Sequence, residues 1–455
     1  MTNTQRGVPE GLPMPNSTTA YWQAWPHPLA RYRSSDSVPP EADIVIIGTG
    51  LAGVATAYHI LTSPSGTLPK PKVVLLEARQ ACSGATGRNG GHTKITAAGA
   101  MKFTSLFGSE ETAKIGAHQA AQMTALKATV EIENLDCELQ LRRSFDVFFD
   151  KEHALAAKAW LQEQRNEGVE WVKNIQWLEG ENVERITGVK GIKGAMSVPA
   201  ASLWPYKFVT GLLAKVLELG ALLYTETPVY SVKSTKGSGT NMVETARGVM
   251  KASKVIFATN GYSAALLDQY VGVITPIRGQ ASHLVAGSPS HHDLNLNCTY
   301  NLHYDPNTAD YLVPQPNGGI LLGGGQAFYR DNKSKWWNSV DDTKIISDRV
   351  TDHFNSVMGE RFRGWEKSNA KADFVWSGIM GVTPDSVPHV GRVPGSDSQW
   401  ILAGFNGGGM SLIFTLGQGI ARMVLEGVSY EDTDMPVLFK TTEERLVAAK
   451  GASVA

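Results

Sequence analysis

The chain has 455 residues, of which 42% are hydrophobic and 19% charged, with a formal net charge of −1. That length exceeds one ordinary domain and suits two or three. The near-zero charge excludes recruitment of nucleic acid or an anionic membrane by a global field. Three cysteines, Cys82, Cys137 and Cys298, are too sparse and odd in number for a disulfide framework. They fit a reducing compartment, so a cytoplasmic protein is expected. No apolar run approaches the ~18 residues of a membrane span, and the start, "MTNTQRGVPEGLPMPNSTT", lacks a charged end followed by an apolar stretch.

Residues 1–40 are rich in Pro, Ser and Thr but carry Trp22 and Trp25. This predicts an arm packed on the body, with a lid as a further role. "DIVIIG" is continuously apolar, as a parallel strand buried on both faces should be. "LAGVATAYHILT" follows as a helix and "KVVLLE" as a second strand ending at Glu77, which makes a βαβ unit. Next comes a Gly-rich loop, "ARQACSGATGRNGGHTK". A long helix is expected from Ser109 as N-cap, with Glu110 and Glu111 in its first turn. "CELQLRRSFDVFFD" reads as strand or hairpin, "EHALAAKAWLQEQRNEG" as helix, and "WPYKFVTGLLAKVLELG" as a helix closed by Gly220. "KASKVIFATNGYS" is another buried strand, residues 274–330 look antiparallel, and "WILAGFNGGGMSLIFTLGQGIARMVLEG" returns to strand, Gly loop and helix.

A parallel α/β unit interrupted by an antiparallel one predicts two interleaved domains. The expected boundaries are a packed arm at 1–40, one discontinuous domain at 41–135, 196–265 and 370–435, a second at 136–195 and 266–369, and a tail at 436–455.

Gly makes up 46 positions, concentrated in a few clusters. "GTGLAG" matches G-x-G-x-x-G with a buried strand before it, a helix after it and the acidic Glu77 ending the next strand. Gly48 allows the tight turn, Gly50 lets the backbone approach a pyrophosphate, and Gly53 lets helix and strand pack closely. Leu51 and Ala52 begin the helix whose free N–H groups face that phosphate. Glu77, followed by Ala78 and Arg79, can accept hydrogen bonds from both ribose hydroxyls. In "GFNGGGM", Gly404, Asn406, Gly407, Gly408, Gly409 and Met410 form a second loop before a helix N-terminus. Such an end suits a site where negative charge develops, such as the N1–C2=O edge of a reduced flavin. In "SGATGRNGG", Ser83 and Gly84 can bind phosphate, while Arg88, Asn89, Gly90 and Gly91 can pass along an isoalloxazine ring.

Together "GTGLAG", Glu77-Ala78-Arg79, "CSGATGRNGGH", "ATNGY" and "GFNGGGM" resemble the D-amino-acid oxidase/sarcosine oxidase-like FAD-dependent oxidoreductases, and most of all the branch of γ-glutamylputrescine oxidoreductase and its fungal relatives. The resemblance runs from about residue 20 to 430. It implies an α/β plus antiparallel β fold of the DAO/glutathione-reductase type, a Rossmann-type FAD-binding domain interleaved with a mostly antiparallel substrate domain. It also implies that Glu77 binds the adenosine ribose, that Val229 meets the adenine through its backbone, that Thr259, Asn260 and Gly261 of "ATNGY" belong to the cofactor site, and that "GFNGGGM" lies against the flavin. Two departures stand out. Gly378 falls where covalent sarcosine oxidases place a flavin-linking cysteine, and Arg88 falls near the linking histidine of the dimethylglycine dehydrogenase type. Non-covalent FAD is therefore expected.

The chemistry the family implies is oxidation of a C–N bond in a small amine or amino acid, with dioxygen as acceptor and hydrogen peroxide as product. It calls for an aromatic pocket and, beside the flavin, a cation. Tyr311 and Trp376, with Tyr304 and His303, are candidate wall residues; His283 and His92 are candidate cations; Arg278 is a candidate partner for a substrate carboxylate. Rival readings are a flavin dehydrogenase passing electrons to another carrier, an FAD/NADPH monooxygenase, for which no second strand–GxGxxG–helix unit is found, and a non-catalytic flavin-binding protein. A hydrolase or metalloenzyme finds no motif: His291 and His292 lie in a loop without further ligands at useful spacing, and no metal is expected.

Overall fold

The computed structural model describes residues 10–64, 70–94, 96–235, 239–287 and 296–452. His291, His292 and the first nine residues of the arm lie outside the described residues.

The strand Glu41–Ile47 sits inside the first sheet, parallel to both Val73–Leu76 and Gly248–Phe257. Residues 44–47 of it are wholly buried, which is why the run carries no polar alternation. The sheet order is His389–Arg392, Gln399–Ala403, Gly248–Phe257, Glu41–Ile47, Val73–Leu76, Leu222–Tyr224. A hairpin, Val229–Thr235 with Thr240–Thr245, is added on Gly248–Phe257. On one face the helix Leu51–Thr62 packs against Ile413–Glu426 and Pro205–Glu218. A Cβ on Gly417 would stand 3.1 Å from the Thr56 amide, so glycine sets how closely the first two of these helices approach.

The second sheet runs Lys371–Val382, Thr275–Val285, Ile320–Gly324, Thr308–Pro314, Thr299–Asp305, Gln140–Phe148, Gly194–Ser202, His92–Lys94. It is antiparallel except where Thr299–Asp305 runs parallel to Gln140–Phe148. Pairing therefore moves three segments out of the stretches expected to bind the dinucleotide. Lys371–Val382 pairs with Thr275–Val285, Gly194–Ser202 with Gln140–Phe148, and His92–Lys94 with Gly194–Ser202. An apolar strand reads the same in either sheet; only its partners decide.

Other expectations shift locally. The long helix begins at Ala97, where Thr96 accepts from the Gly99 amide, and it kinks at Gly108, whose φ is 82°. Ser109, expected as the cap, accepts from Gln164 Nε2 instead. Residues 137–150 form one strand, Gln140–Phe148, and no hairpin. The C-terminal segment is no loose tail: Glu443–Gly451 is a helix held by Arg445, which bonds Asp385 through Nε and an η-nitrogen at 2.9 and 2.8 Å. The arm is packed, with Trp22 fully buried, but Trp25 stays 62% exposed. No helix among the described residues is long and apolar enough to cross a membrane.

His389 is fully buried, with Nδ1 3.0 Å from Thr441 Oγ1 and no partner for Nε2. Burial, and then the nearby Arg445, push its pKa down to about 2. The unfolded chain, with an ordinary histidine near ~6.5, thus takes up a proton that the folded chain refuses. Stability is full above about pH 6.5 and falls as the pH drops toward the folded value. A loss on the order of 3 kcal/mol by pH 4 is expected from this group. Urea midpoints at pH 7, 5 and 4 should show it, and His389→Asn should flatten the slope. Equal slopes in the two proteins would exclude His389 as the cause.

Candidate active site

Between the sheets lies a cavity of about 970 Å³, at the top of the roughly 300–1,000 Å³ range of small-molecule sites. Gly48, Gly50, Leu51 and Ala52 line it. Gly48 has φ +108°, and a Cβ there would lie 2.5 Å from the Ala258 carbonyl oxygen. Gly53 does not face the cavity; a Cβ on it would lie 1.9 Å from Gly48 O, so it serves the helix–turn packing. The Leu51 amide donates to Thr86 Oγ1 at 3.0 Å, a contact the sequence did not reveal. The amides of Ala52 and Gly53 keep no acceptor within the helix.

Glu77 lies just past the end of the strand Val73–Leu76, which stops one residue earlier than the sequence suggested, and lines the cavity. Its Oε2 accepts from Thr49 N at 3.0 Å and Thr49 Oγ1 at 2.8 Å, and Oε1 accepts from Arg79 N at 2.9 Å. A carboxylate has about four lone-pair sites, which leaves capacity for about one ribose hydroxyl rather than both. Ala78, Arg79, Val229, Thr259 and Asn260 line the same end. Gly261 does not; it packs on the Met380–Gly381 backbone. Asn260 Oδ1 accepts from the amides of Gly404 and Phe405, which ties "ATNGY" to "GFNGGGM". Gly404 stays off the surface with φ +75°, while Asn406, Gly407, Gly408, Gly409 and Met410 line the cavity. A short 3-10 turn, Gly409–Ser411, then leads into Ile413–Glu426. Two helix N-termini thus approach one space, and each can favour negative charge there.

From the second loop, Gly84, Arg88, Asn89 and Gly90 line the cavity, while Ser83 and Gly91 do not. A Cβ on Gly84 would meet nothing within 4 Å. Ser83 Oγ is buried without a partner. Asn89 braces the loop internally, donating to Thr86 O and accepting from Gly91 N. Arg88 is buried, and its guanidinium turns away from the cavity. Nε donates to Ser83 O; one η-nitrogen donates to Ser377 O and Thr18 Oγ1, the other to Ser17 Oγ and Thr18 O. Burial lowers its pKa only to about 10, so it stays charged.

Tyr311 lines the far end. Its ring lies over Gly90 and Gly323, whose Cβ atoms would come within 2.4 and 2.2 Å of it. Trp376 is also at the wall, but its Nε1 donates to Arg88 O at 2.8 Å, so it braces the second loop. The two histidines do not supply a cation. His92 lines the cavity, but burial and then Lys94 push its pKa down to about 3, and it is neutral at pH 7. His283 lies off the cavity, stacked on Tyr21 at 3.7 Å and bonded through Nδ1 to Asp373 at 2.6 Å. Arg278 is likewise off the cavity, donating to the carbonyls of Asp341 and Lys335. Tyr304 bonds Asp310 rather than facing the space, whereas His303 lines it.

Residues 43–423 match the family model described as FAD dependent oxidoreductase, DAO. The chain belongs to the DAO family. It is 23% identical over 401 residues to glycine oxidase of Bacillus licheniformis, covering 84% of this chain and 93% of the relative. It is 21% identical to γ-glutamylputrescine oxidoreductase of Escherichia coli, covering 90% of each chain. Among solved structures, glycine oxidase from Geobacillus kaustophilus aligns with a TM-score of 0.70 at 20% identity, over 89% of this chain and 99% of that one. The last likeness shows the fold.

FAD is the cofactor of this DAO-family oxidoreductase, and the cavity fits it: two amide-rich helix ends, Glu77 at one end and the open edge of Gly84 are all present. Two buried charges that the sequence left unmarked shape the site. Asp342, from the second domain, bonds Arg79 at 3.0 Å. Lys94, its side chain fully buried, donates to Asp146 Oδ1 at 2.8 Å and Ser144 Oγ at 2.6 Å, while Asp146 Oδ2 accepts from Ala97 N at the helix start. The Lys94 ammonium holds the Asp146 carboxyl well below the usual range against the opposing effect of burial. Asp146→Asn strands a buried ammonium and should cost about 3–5 kcal/mol, read as a lowered Tm. Lys94→Met combined with Asp146→Leu should recover most of that loss, because no unpaired charge remains.

Proposed function

We propose that this oxidoreductase oxidises a C–N bond in a small amine or amino acid and reoxidises with dioxygen, giving an imine that hydrolyses to a carbonyl and hydrogen peroxide. FAD held by the two glycine-rich loops and Glu77 would supply the hydride-accepting chemistry. The rest is the work of the protein. Its aromatic wall, Tyr311 with Tyr329, Trp336 and Trp337, desolvates the amine, which lowers the amine's pKa and favours the neutral form that can lose hydride. The same wall excludes water and holds the C–H in place. No strong base is required, and His92, its pKa lowered to about 3 by burial and Lys94, is a weak one. The observation that carries this reading is the aromatic end of the cavity, bounded by Gly90 of the second glycine loop.

The commitment of the buried cations favours an amine over an α-amino acid. Arg88 uses all five N–H groups on the protein, Lys94 is bonded to Asp146, and Arg278 holds backbone carbonyls. The cations that line the cavity as exposed side chains, Lys102 and Arg330, lie at its rim. A carboxylate taken deep into the site would be desolvated without a partner.

Non-covalent FAD fits the attachment positions. Gly378 has no side chain, the Arg88 guanidinium is no nucleophile, and Cys82 is buried off the cavity with its thiol pushed well up by burial. The free cysteines suit a reducing compartment. Hand-over of electrons to a carrier other than oxygen is the alternative reading.

Acid precipitation of the purified protein should send the yellow flavin to the supernatant; colour in the pellet would refute non-covalent binding. Aerobic mixing with an arylalkylamine should bleach the flavin band and release peroxide. The matching α-amino acid should react at least about a hundredfold more slowly, the fold-change for an unpaired buried charge of about 3 kcal/mol. A faster amino acid would overturn the amine preference, and bleaching without peroxide would favour the carrier.

A further inference from the structure

We propose that residues 12–23 are a strap over the cofactor site, latched to the second glycine loop, and that lifting this strap limits the entry and release of FAD. The arm does more than cover the surface. Leu12 and Pro13 line the cavity itself, at the end that holds Glu77, Arg79 and Tyr262. From there the arm is bonded step by step to the loop that borders the cofactor space. Arg79 donates to Met14 O at 3.1 Å. Arg88 donates to Ser17 Oγ and, at 2.7 Å, to Thr18 O. Trp22 Nε1 donates to Asn89 O at 2.6 Å, and Gln23 Nε2 donates to Gly87 O at 2.8 Å.

The latch also reaches the second domain. The Thr18 amide donates to Asp342 O at 2.8 Å, and the Asp342 carboxylate bonds Arg79 at 3.0 Å and stands 3.7 Å from Arg88 Nε. Asp342 is fully buried, so its charge is tolerable only while both guanidinium groups stay in place. The strap, the glycine loop and the second domain therefore hold or release together.

The strap has the composition of something that opens. Residues 12–20 form no helix or strand, and Met14, Pro15 and Asn16 are exposed. At its far end Trp22 is fully buried, and Trp204 Nε1 donates to its carbonyl at 3.0 Å. A segment without helix or strand next to a fixed anchor can open as a local unit, and the buried Arg88 donors that its lifting leaves unmet make that opening slow. A dinucleotide enclosed by it cannot leave until the segment lifts.

A reversible staple tests this in the full chain. A Cβ on Gly11 would lie 3.5 Å from the Ala265 Cβ, within the roughly 3.5–4.5 Å a disulfide spans. Gly11→Cys with Ala265→Cys should lock the strap when oxidised and free it when a phosphine reduces the bond. The strain of a cysteine at φ +83° is common to both states and cancels. The readout is the rise in fluorescence as FAD leaves the diluted holoprotein, with bond formation checked by thiol titration. Release should be at least tenfold slower in the oxidised form, and uptake of FAD by oxidised apoprotein should slow alike. Rates equal within twofold, with the disulfide formed, overturn the proposal. Independently, Ser17→Ala with Gln23→Ala, which removes two of the latch bonds, should speed release about fivefold when each protein is measured the same number of degrees below its own flavin-free Tm; unchanged release counts against the latch. A chain that takes up no FAD in either state would sink the proposal together with the cofactor assignment.

Discussion

The guanidinium of Arg88 is the joint on which the site depends. A buried arginine has five N–H donors and no way to lose its charge, so every donor needs an acceptor, and here the acceptors come from three separate parts of the chain. Ser83 belongs to the glycine loop, Ser377 to the second sheet, and Ser17 and Thr18 to the arm. Asp342 supplies the compensating charge to Arg79 and stands near Arg88. Leaving any one donor unmet would be costly, so the loop, sheet and arm are fixed relative to one another. Trp376, which donates to Arg88 O, closes the same joint from behind.

With that joint closed, the cavity acquires two unlike ends. One is rich in backbone amides and presents helix N-termini, which suits phosphate and the developing negative charge of a reduced ring. The other is aromatic and poor in buried, uncommitted charge. The contrast is sharpened by Lys94. Its ammonium, locked on Asp146, contributes to the depressed pKa of His92, which keeps that histidine neutral. A charged pair behind the wall thus helps make the wall itself uncharged. The pair also pins the strand that leaves the second glycine loop to the start of the long helix through the Ala97 amide.

The first glycine loop was legible because its chemistry is local. Strand, glycines, helix and Glu77 stand within about forty residues, and each is required by backbone geometry that no distant contact alters. The helix Leu51–Thr62 falls where its apolar pattern places it. The second loop was half legible. Its glycines marked a close approach, but the roles of Thr86, Trp376 and Asp342 depend on contacts across 35, 288 and 263 residues of chain. Of the residues expected to do chemistry, Tyr311 and His92 reached the cavity and His283 did not. Its strand alternates in the same way whichever face is covered; only the stacked Tyr21 on that face decided the matter.

What the sequence by itself determined is the strand–glycine–helix turn of a dinucleotide-type unit and the division into a parallel and a mostly antiparallel sheet. These follow from residue types that backbone geometry demands in place. Only the tertiary structure decided which strands belong to which sheet, which histidine is neutral, which cations are already committed and what the N-terminal arm covers. Those are properties of burial and partnership. The charge state of a side chain and the face it presents are set by groups hundreds of residues away, which no local pattern encodes.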